Sequence, residues 1–536
     1  MTVPSYDDRT DRTAVLVISA LIIVNAMLFL MSRGLTYVHI DAIAHVNKAR
    51  GLFDNFTPGL KQLGSIWLPL PHLLIAPLTW FDVLWRSGAA GSILSVACFV
   101  GASWYLFSIT YAWTGVRAAA WLAFLFFALN PRLIYLFTTP MTEPLMILCA
   151  AGLTCYLVRW AQTGSWQPFG MAALMAFAGT LTRYEGWAIA AAAIPLVAVV
   201  ARTKRTASTI LFMGAAAAGP MLWMLYNMIY FEDPLFFTWG RGSAQDYAME
   251  HLFRAGTTFA TAGKWMESFR SYSIDVAYCL NSTVLWLAVG GLLFVCARWT
   301  REQWRTSAIM LVSALAPFGF YVLNLYSNTI SILMPGLIEN EPASIYNVRY
   351  GSVMAATVPV FAALFLDHIL RQTNRHRAFS LLLLAPLFLP DPVPPESLER
   401  MDLQLTQNLF YVESIHNQSF WLPPFVEIAE RLKADIEQTQ DQTSFILTNT
   451  RVVHPVVWAA AIPMRRFIHE MNKDRWEQNL IEIDPGIRWV ITEEGDQLWH
   501  AQGKFLQREF VEVAHAKTPS TGTVHLYRRR GDNRRQ

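Results

Sequence analysis

The sequence predicts an α-helical polytopic membrane protein with a soluble α/β domain at its C-terminal end. Of the 536 residues, 54% are hydrophobic and only 15% are charged, whereas roughly a quarter of residues are charged in soluble domains. Long apolar runs fill the first 390 residues, and the composition changes abruptly at the proline-rich stretch 390–395. These features exclude a water-soluble enzyme. The formal net charge of +3 gives no support for a nucleic-acid partner.

The first apolar run, Ala14–Ser32, contains no charged residue and is long enough to cross about 30 Å of hydrocarbon. No small-residue cleavage site follows it, so we expect a retained first helix. The further candidate spans are 89–112, 117–137, 143–160, 168–182, 186–201, 206–231, 275–297, 306–327, 350–370 and 378–390. The prediction is therefore about 11 membrane-spanning helices, of which 168–182 and 378–390 are short for a full crossing.

The stretch 65–85 is apolar but is interrupted by Pro69, Pro71 and Pro77, which disfavour a regular helix. Charge distribution decides its placement. If this stretch stays outside, the inward loops contain 13 Lys or Arg and the outward loops before residue 391 contain 12, although the outward loops are about three times as long. If it crosses, this positive-inside pattern is lost. We therefore expect surface helices at the membrane interface, with the N-terminus cytoplasmic and the C-terminal domain extracytoplasmic in a cell (inner) membrane.

This topology gives a membrane domain over 1–390 and an extracytoplasmic α/β domain over 391–536. Two external loops of the membrane domain, 33–88 and 232–274, are long enough to hold chemistry. In the C-terminal domain, strands are predicted at 444–449, 488–492, 510–515 and 523–527, with helices around 425–438, 452–462, 474–482 and 497–507. No glycine-rich phosphate loop follows any of these strands, so nucleotide binding is unsupported.

The first candidate site lies in the loop 33–88. On a helix, Asp41, His45 and Lys48 fall at i, i+4 and i+7 and share one face. That face combines a carboxylate base with groups that could hold an anionic substrate. The alternative is a helix cap or a solvated stripe on a short interfacial helix.

Three more external turns carry polar residues between apolar runs, where charge is costly. Glu143 begins a predicted span, where a carboxylate also serves as an ordinary helix cap. Arg183, Tyr184 and Glu185 lie together in the next external turn. Arg349 and Tyr350 enter the tenth span, where they could simply be interfacial anchors. All four polar segments emerge on one face of the membrane, and this convergence favours a site there.

These segments resemble those of the GT-C glycosyltransferases, polytopic enzymes that take a sugar from a polyprenyl-phosphate carrier on the outer or lumenal face. Protein O-mannosyltransferases and bacterial aminoarabinose transferases are the more similar members. The resemblance covers the region around Asp41, the turn with Glu143, and the segments 182–187 and 347–350. It implies a GT-C fold with interfacial helices in the first external loop.

The resemblance also implies site residues. Asp41 corresponds to the catalytic carboxylate of the first external loop and Glu143 to the acidic position of the second. Position 42 is Ala, where several relatives have a second acid, and Glu143 stands alone where oligosaccharyltransferases have a pair. We therefore expect no required cofactor; a divalent cation, Mn²⁺ or Mg²⁺, held by Asp41 and Glu143 is the alternative.

The expected reaction is an inverting transfer of a hexosyl or pentosyl group from a polyprenyl-phosphate sugar to a hydroxyl acceptor on a protein, lipid or glycan. Asp41 would act as the general base. Arg349, with Lys48 and Arg183 as further candidates, would balance the charge of the donor phosphate. The further residues expected to line the substrate pocket are His39, His45, His72, Tyr184, Glu185 and Tyr350. The apolar stretch 65–85 is expected to accommodate the isoprenoid chain.

Two rival functions remain open from the sequence. A secondary transporter should have its polar residues near mid-membrane on broken helices, whereas these spans are nearly free of charge and the polar residues cluster at one set of ends. The second rival is a ligase or polymerase that acts on lipid-linked glycans, which composition does not distinguish from a transferase. A non-catalytic scaffold is the third possibility.

Overall fold

The computed structural model describes residues 9–240, 243, 246, 259–298, 300, 303–333, 346–372, 413–414, 422–518 and 522–530. The chain divides into two compact units. The first, here called the membrane unit, comprises Met1–Arg33, Ser65–Pro71 and Ser92–Glu413. The second, the sheet unit, comprises Gly34–Gly64, His72–Gly91 and Ser414–Gln536. Most of the predicted first external loop thus groups with the C-terminal region, and the predicted domain boundary at 390/391 lies outside the described residues.

The helices bear out a mostly helical polytopic chain. In chain order they are α1 Arg9–Ser32, α2 Ile40–Gly51, α3 Leu70–Thr79, α4 Asp82–Ser87, α5 Ala89–Thr114, α6 Arg117–Ala128, α7 Pro131–Phe137, α8 Glu143–Thr163, α9 Trp166–Thr180, α10 Glu185–Val200, α11 Arg205–Phe231, α12 Phe236–Trp239, α13 Trp265–Leu280, α14 Ser282–Ala297, α15 Trp304–Tyr326, α16 Val358–Gln372, α17 Pro423–Thr439, α18 Thr450–Ala460, α19 Lys473–Ile481 and α20 Gln497–Glu509. Short 3-10 helices cover Leu60–Leu63, Tyr350–Ala356 and Met464–Arg466.

Five described helices are long and apolar enough to cross a membrane: α1, α5, α8, α11 and α15. The number rises to 8 if each of three bent helix pairs counts as one span. The sequence prediction of about 11 spans also includes the shorter runs 168–182, 186–201 and 378–390. The runs 168–182 and 186–201 correspond to α9 and α10, of 15 and 16 residues, and the run 378–390 lies outside the described residues.

Three runs predicted as single spans are in fact bent. The run 117–137 is α6 and α7, bent by 64°, 275–297 falls on α13 and α14, bent by 115°, and 350–370 is a 3-10 helix followed by α16, bent by 53°. At the first bend, Asn130 caps α7 by accepting from the amide of Arg132 at 2.9 Å, and Pro131 cannot continue α6. At the second, Asn281 has a φ of 77° and caps α14. Local capping thus overrides a continuous apolar run.

Within the membrane unit, α8 packs against α9, α15 and the 350–356 helix, and α10 packs against α11 and α15. Glycines permit some of these close crossings. Gly291 of α14 lies against the backbone carbonyl of Phe361 in α16, where an added Cβ would collide with it. This packing brings the start of α8, the α9–α10 turn and the turn before the 350–356 helix together.

The sheet unit contains a five-stranded sheet. Its strands are β1 Phe445–Leu447, β2 Phe467–Ile468, β3 Ile487–Glu493, β4 Phe510–Thr518 and β5 Gly522–Arg529, in the spatial order β2-β1-β3-β5-β4. β1 pairs in parallel with β2 and β3, while β5 pairs antiparallel to β3 and β4, with Ile491 opposite Leu526. The four predicted strands and four predicted helices of this region are confirmed, and β2 is the strand that the sequence prediction missed.

Most of the loop 33–88, namely Gly34–Gly64 and His72–Gly91, is part of the sheet unit. Its helix α2 packs on α18, and the side-chain amide of Asn47 donates to the carbonyl of His454 at 3.0 Å. The indole of Trp85 donates in turn to the Asn47 side-chain oxygen at 2.8 Å. Arg50 donates to the carbonyl of Thr79 at 2.7 Å and pairs with Asp54 at 2.9 Å. These polar contacts hold α2 against α18 and against the end of α3 within the sheet unit.

Candidate active site

Glu143 lies at the centre of a buried polar cluster in the membrane unit. It is the first residue of α8 and its side chain is 4% exposed. Its Oε1 accepts from Arg183 NH1 and from Arg349 Nε, both at 2.9 Å. Its Oε2 is buried and has no hydrogen-bond partner among the described residues. The carboxylate therefore joins two guanidinium groups and keeps one oxygen available.

Arg183, in the turn between α9 and α10, connects Glu143 to a second carboxylate. Its Nε donates to Glu185 Oε1 at 2.5 Å, and its NH1 also donates to the Thr142 hydroxyl at 3.0 Å. Burial alone would lower the pKa of Arg183, but the charges of Glu143 and Glu185 outweigh it and hold that pKa well above its usual value. The guanidinium also lies over the ring of Tyr350, 5.2 Å from its centroid.

Arg349 connects Glu143 to a third carboxylate, that of Glu413. Its NH1 donates to Glu413 Oε1 at 3.1 Å, and Glu413 is fully buried. Carboxylates and guanidiniums therefore alternate in the order Glu413, Arg349, Glu143, Arg183, Glu185. With every group ionised, this row of five side chains contains three negative and two positive charges. Its members come from four different parts of the membrane unit, so they also hold those parts together.

Asp41 lies in the sheet unit, in the first turn of α2. His39 is the N-cap of this helix, and its Nδ1 accepts from the Asp41 backbone amide at 3.1 Å. The Asp41 side chain is 27% exposed, and its Oδ2 lies 3.8 Å from His39 Nδ1. The helix predicted around this residue is confirmed, so Asp41, His45 and Lys48 occupy one face as expected.

The sheet unit also contains a group of buried basic side chains. His45 Nδ1 and His72 Nε2 are 3.0 Å apart, which makes one of them a donor and the other an acceptor. Lys48 Nζ donates to the carbonyl of Leu63 at 3.2 Å, and burial lowers the pKa of Lys48 to about 8. His469 Nε2 accepts from the side-chain amide of Asn55 at 3.3 Å, and burial, followed by the charge of Lys48, lowers the pKa of His469 to about 3.

Tyr184 is oriented away from the charged cluster. Its hydroxyl donates to the carbonyl of Ile66 at 2.8 Å, and its ring stacks on Phe237 with centroids 5.5 Å apart. Trp187 and Trp223 complete this aromatic group. Tyr184 thus fixes the 65–71 segment within the membrane unit, while its neighbours Arg183 and Glu185 belong to the charged chain.

The predicted site residues therefore fall into two groups, one in each unit. Glu143, Arg183, Glu185, Arg349 and Tyr350 come together in the membrane unit. His39 and Asp41 are in contact in the sheet unit, as are His45 and His72, and Lys48 lies on the same helix face as Asp41 and His45. Sequence reasoning missed Glu413, which pairs with Arg349, Tyr321, whose hydroxyl accepts from Arg183 NH2 at 3.4 Å, and the buried His469. Glu413 is an isolated acid between segments of mixed composition, and no local pattern distinguishes it.

The described residues contain no group of three or more His, Cys, Asp or Glu side chains placed to hold a metal ion. Oε1 of Glu143 accepts from two guanidinium groups, and the residue after Asp41 is Ala42, which offers no second carboxylate.

No protein-family model matches the sequence, and no curated protein is similar to it in sequence. Solved structures are similar to it in fold. The crystal structure of ArnT from Cupriavidus metallidurans bound to undecaprenyl phosphate has a TM-score of 0.56 at 12% identity, over 94% of this chain and 97% of that one. The apo state of the same protein gives 0.51 at 12% identity, over 95% and 97%.

The archaeal oligosaccharyltransferase AglB from Archaeoglobus fulgidus, in complex with an inhibitory peptide and a dolichol-phosphate, has a TM-score of 0.49 at 12% identity, over 97% of this chain and 74% of that one. ArnT is an aminoarabinose transferase with the GT-C fold, and the similarity covers almost its whole length. The chain therefore has the GT-C fold, the class that its sequence resembles.

Proposed function

We propose that this protein is an inverting membrane glycosyltransferase that moves a sugar from a polyprenyl-phosphate carrier to a hydroxyl acceptor on the extracytoplasmic face. Asp41 is the general base of this reaction. The fold is shared with ArnT, whose crystal structure holds undecaprenyl phosphate. Because folds host many chemistries, the proposal rests chiefly on the contrast between the two predicted acids, Asp41 and Glu143.

The environments of these two acids support different roles. A general base must reach the proton of an incoming acceptor. The Asp41 side chain is 27% exposed, whereas that of Glu143 is 4% exposed and accepts from two guanidinium groups. Asp41 is thus the acid that the hydroxyl group of an acceptor can approach from the aqueous phase. Glu143 is better suited to orient Arg183 and Arg349.

The leaving phosphate needs a cation, and Lys48 is the strongest candidate. Arg183 and Arg349 each already bind two carboxylates, which offset their positive charge. Burial lowers the pKa of Lys48 to about 8, and an anion beside the ammonium would favour its charged form. We therefore place Lys48 ahead of Arg349 and Arg183 as the group that meets the donor phosphate.

In the proposed step, the acceptor oxygen attacks the anomeric carbon as Asp41 removes its proton. The bond between that carbon and the phosphate oxygen breaks, and the polyprenyl phosphate leaves with the electron pair. A single displacement inverts the anomeric configuration. The phosphate leaves as an anion and needs no proton, so electrostatic compensation is sufficient on that side.

The carrier also requires an apolar surface. Around the end of α3 and the start of α4, the side chains of Trp80, Phe81 and Val83 are 65%, 60% and 79% exposed. Exposed apolar groups of this size are typical of a lipid-contacting surface. They support our placement of this segment at the membrane interface, where an isoprenoid chain would gain about 0.8 kcal/mol per buried methylene.

The direct test is incubation of the purified full-length protein with a panel of polyprenyl-phosphate sugars and hydroxyl acceptors, with free polyprenyl phosphate as the readout. Asp41→Asn should lower turnover by roughly 10²–10⁴-fold, the usual contribution of a general base. Asp82→Asn is a matched control because Asp82 is also a first-turn acid of a short helix in the sheet unit. Undiminished turnover in Asp41→Asn would show that another group is the base. Uptake of a solute without release of lipid phosphate would favour the transporter alternative.

Metal dependence is tested in the same assay. With only Glu143 at the second acidic position, and with that carboxylate bound to two guanidinium groups, we expect EDTA to change turnover by less than about twofold. Loss of activity in EDTA that Mn²⁺ or Mg²⁺ restores would instead assign a cation to Asp41 and Glu143.

A further inference from the structure

We propose that Glu413 is a positioning residue that sets the orientation of Arg349 toward Glu143. This inference rests on the proposed function, in which Glu143 orients Arg349 and Arg349 is a further candidate cation for the donor phosphate. Glu413 is fully buried, and it lies 64 residues beyond Arg349 in the chain. Burying a carboxylate is costly unless hydrogen bonds and an opposite charge compensate it, so its contacts indicate its purpose.

Glu413 binds both the backbone and the side chain of one turn. Its Oε1 accepts from the Asn347 amide at 2.9 Å and from Arg349 NH1 at 3.1 Å, while its Oε2 accepts from the Val348 amide at 3.2 Å. All three partners are donors. A carboxylate accepts at both oxygens, whereas a Gln amide would present its own N–H groups to one of these donors. The chemistry of the contact therefore calls for an ionised acid.

The turn itself has an unusual backbone that needs such support. Asn347 has a φ of 59°, in the left-handed region that non-glycine residues rarely adopt, and its side-chain amide donates to the carbonyl of Ser331 at 3.0 Å. Two residues beyond Arg349, the amide of Gly351 donates to Asp275 Oδ2 at 2.7 Å. These contacts fix the ends of the turn, and Glu413 fixes its backbone and the guanidinium together.

The contact between Glu413 and Arg349 also affects the contact between Arg349 and Glu143. While Glu413 holds NH1, Nε reaches Glu143 Oε1 at 2.9 Å, the same oxygen that accepts from Arg183. Without Glu413, Arg349 could rotate about its side-chain bonds, and Glu143 would retain Arg183 alone of these two partners. A displacement of about 1 Å in a site can cost about 10²-fold in rate, so Glu413 acts on the reaction through Arg349 without touching the reacting atoms.

The experiment is a double-mutant cycle of Glu413→Gln and Arg349→Gln in the full-length protein, with release of polyprenyl phosphate as the readout. We expect Glu413→Gln to lower turnover about 10²-fold when residue 349 is Arg, and to have less than about a threefold effect when residue 349 is Gln. A merely structural loss would lower the active fraction by the same factor in both backgrounds. Equal factors in both, or no loss in the single variant, would overturn the proposal.

Asp11→Asn is the matched control, because Asp11 is also a buried acid of the membrane unit but pairs with Arg117. Its effect should be independent of residue 349.

If Arg349→Gln has no measurable turnover, thermal melting of the same four proteins in detergent replaces the turnover rate as the readout. The melting-temperature losses of Glu413→Gln and Arg349→Gln should then sum to clearly more than the loss of the double variant, and simple addition would contradict the proposal. If the wild type releases no lipid phosphate from any donor, the proposed function fails, and the melting cycle still tests the link between Glu413 and Arg349.

Discussion

At the scale of single residues, environment rather than residue type separates the acids of this protein. Asp41 lies in the first turn of a helix and its side chain is partly exposed, whereas Glu143 begins a helix and accepts from two guanidinium groups. Both fit the N-terminal end of a helix, where negative charge is favourable. The sequence therefore identifies both as candidates, and only their partners distinguish a base from a positioning group.

The turn that carries Arg349 depends on Gly351. A Cβ on this residue would lie 2.7 Å from the backbone carbonyl carbon of Asp275, so a larger side chain forces the two segments apart. We expect Gly351→Ala to destabilise the protein by about 1–3 kcal/mol, as overpacking usually does, and to lower turnover. Thermal melting in detergent measures the first effect.

The control for this substitution is Gly319→Ala in α15, where an added Cβ meets no atom within 4 Å. It should leave the melting temperature unchanged or slightly higher, because alanine favours helix more than glycine does. A Gly351→Ala protein that melts and turns over like the Gly319→Ala protein would show that the close approach to Asp275 is unimportant.

At the scale of elements, capping residues decide where an apolar run stops being one helix. Asn130 with Pro131, and Asn281 with its φ of 77°, divide runs that hydropathy alone treats as continuous. In the sheet unit, Asn449 and Asp496 cap α18 and α20 in the same way. The helices of this unit were placed correctly from sequence because their amphipathic periodicity and caps agree, whereas in the membrane unit the uniform apolar composition conceals the bends.

The buried histidines of the sheet unit predict an acid-sensitive stability. Burial lowers the pKa of His469 to about 3, below its value near 6.5 in the unfolded chain. Between these two values the unfolded chain binds the extra proton, so stability is full above pH 6.5 and is lost as the pH falls toward 3. This one group should cost about 2 kcal/mol of unfolding free energy between pH 7 and pH 5.

Chemical or thermal unfolding of the purified protein at pH 7 and pH 5 measures this loss. In His469→Gln the difference between the two pH values should shrink by about that amount. In His500→Gln, which changes an exposed histidine of α20, it should stay as in the wild type. The same pH dependence in the wild type and in His469→Gln would assign the acid sensitivity to other groups.

At the scale of the whole molecule, the chain is a multi-pass membrane protein with the GT-C fold. Loops rich in Lys and Arg alternate along it with loops that are poor in them. The loops assigned to the inside contain 13 Lys or Arg, for example in Arg202–Arg205 and at Arg298, Arg301 and Arg305, whereas outward loops about three times as long contain 12. This distribution predicts a cytoplasmic N-terminus and an extracytoplasmic sheet unit.

Reporter fusions test this orientation. An enzyme that is active only outside the cytoplasm should be active when fused after residue 530 and inactive when fused before residue 9. A fluorescent protein that matures only in the cytoplasm should give the opposite result. Two fusions with the reverse pattern would exclude Asp41 from the face on which we propose that transfer occurs.

The sequence by itself determined the polytopic class, most of the helices and four of the five strands, because each depends on local hydropathy, periodicity and caps. It also located the acids and cations at the ends of apolar runs, where charge is costly without a function. Only the tertiary structure decided how these groups pair. The bond between Glu143 and Arg349 joins residues 206 positions apart, and that between Asn55 and His469 joins residues 414 apart. Such contacts are set by packing, so they placed Glu413 beside Arg349 and most of the loop 33–88 in the sheet unit, and neither is encoded in any local pattern.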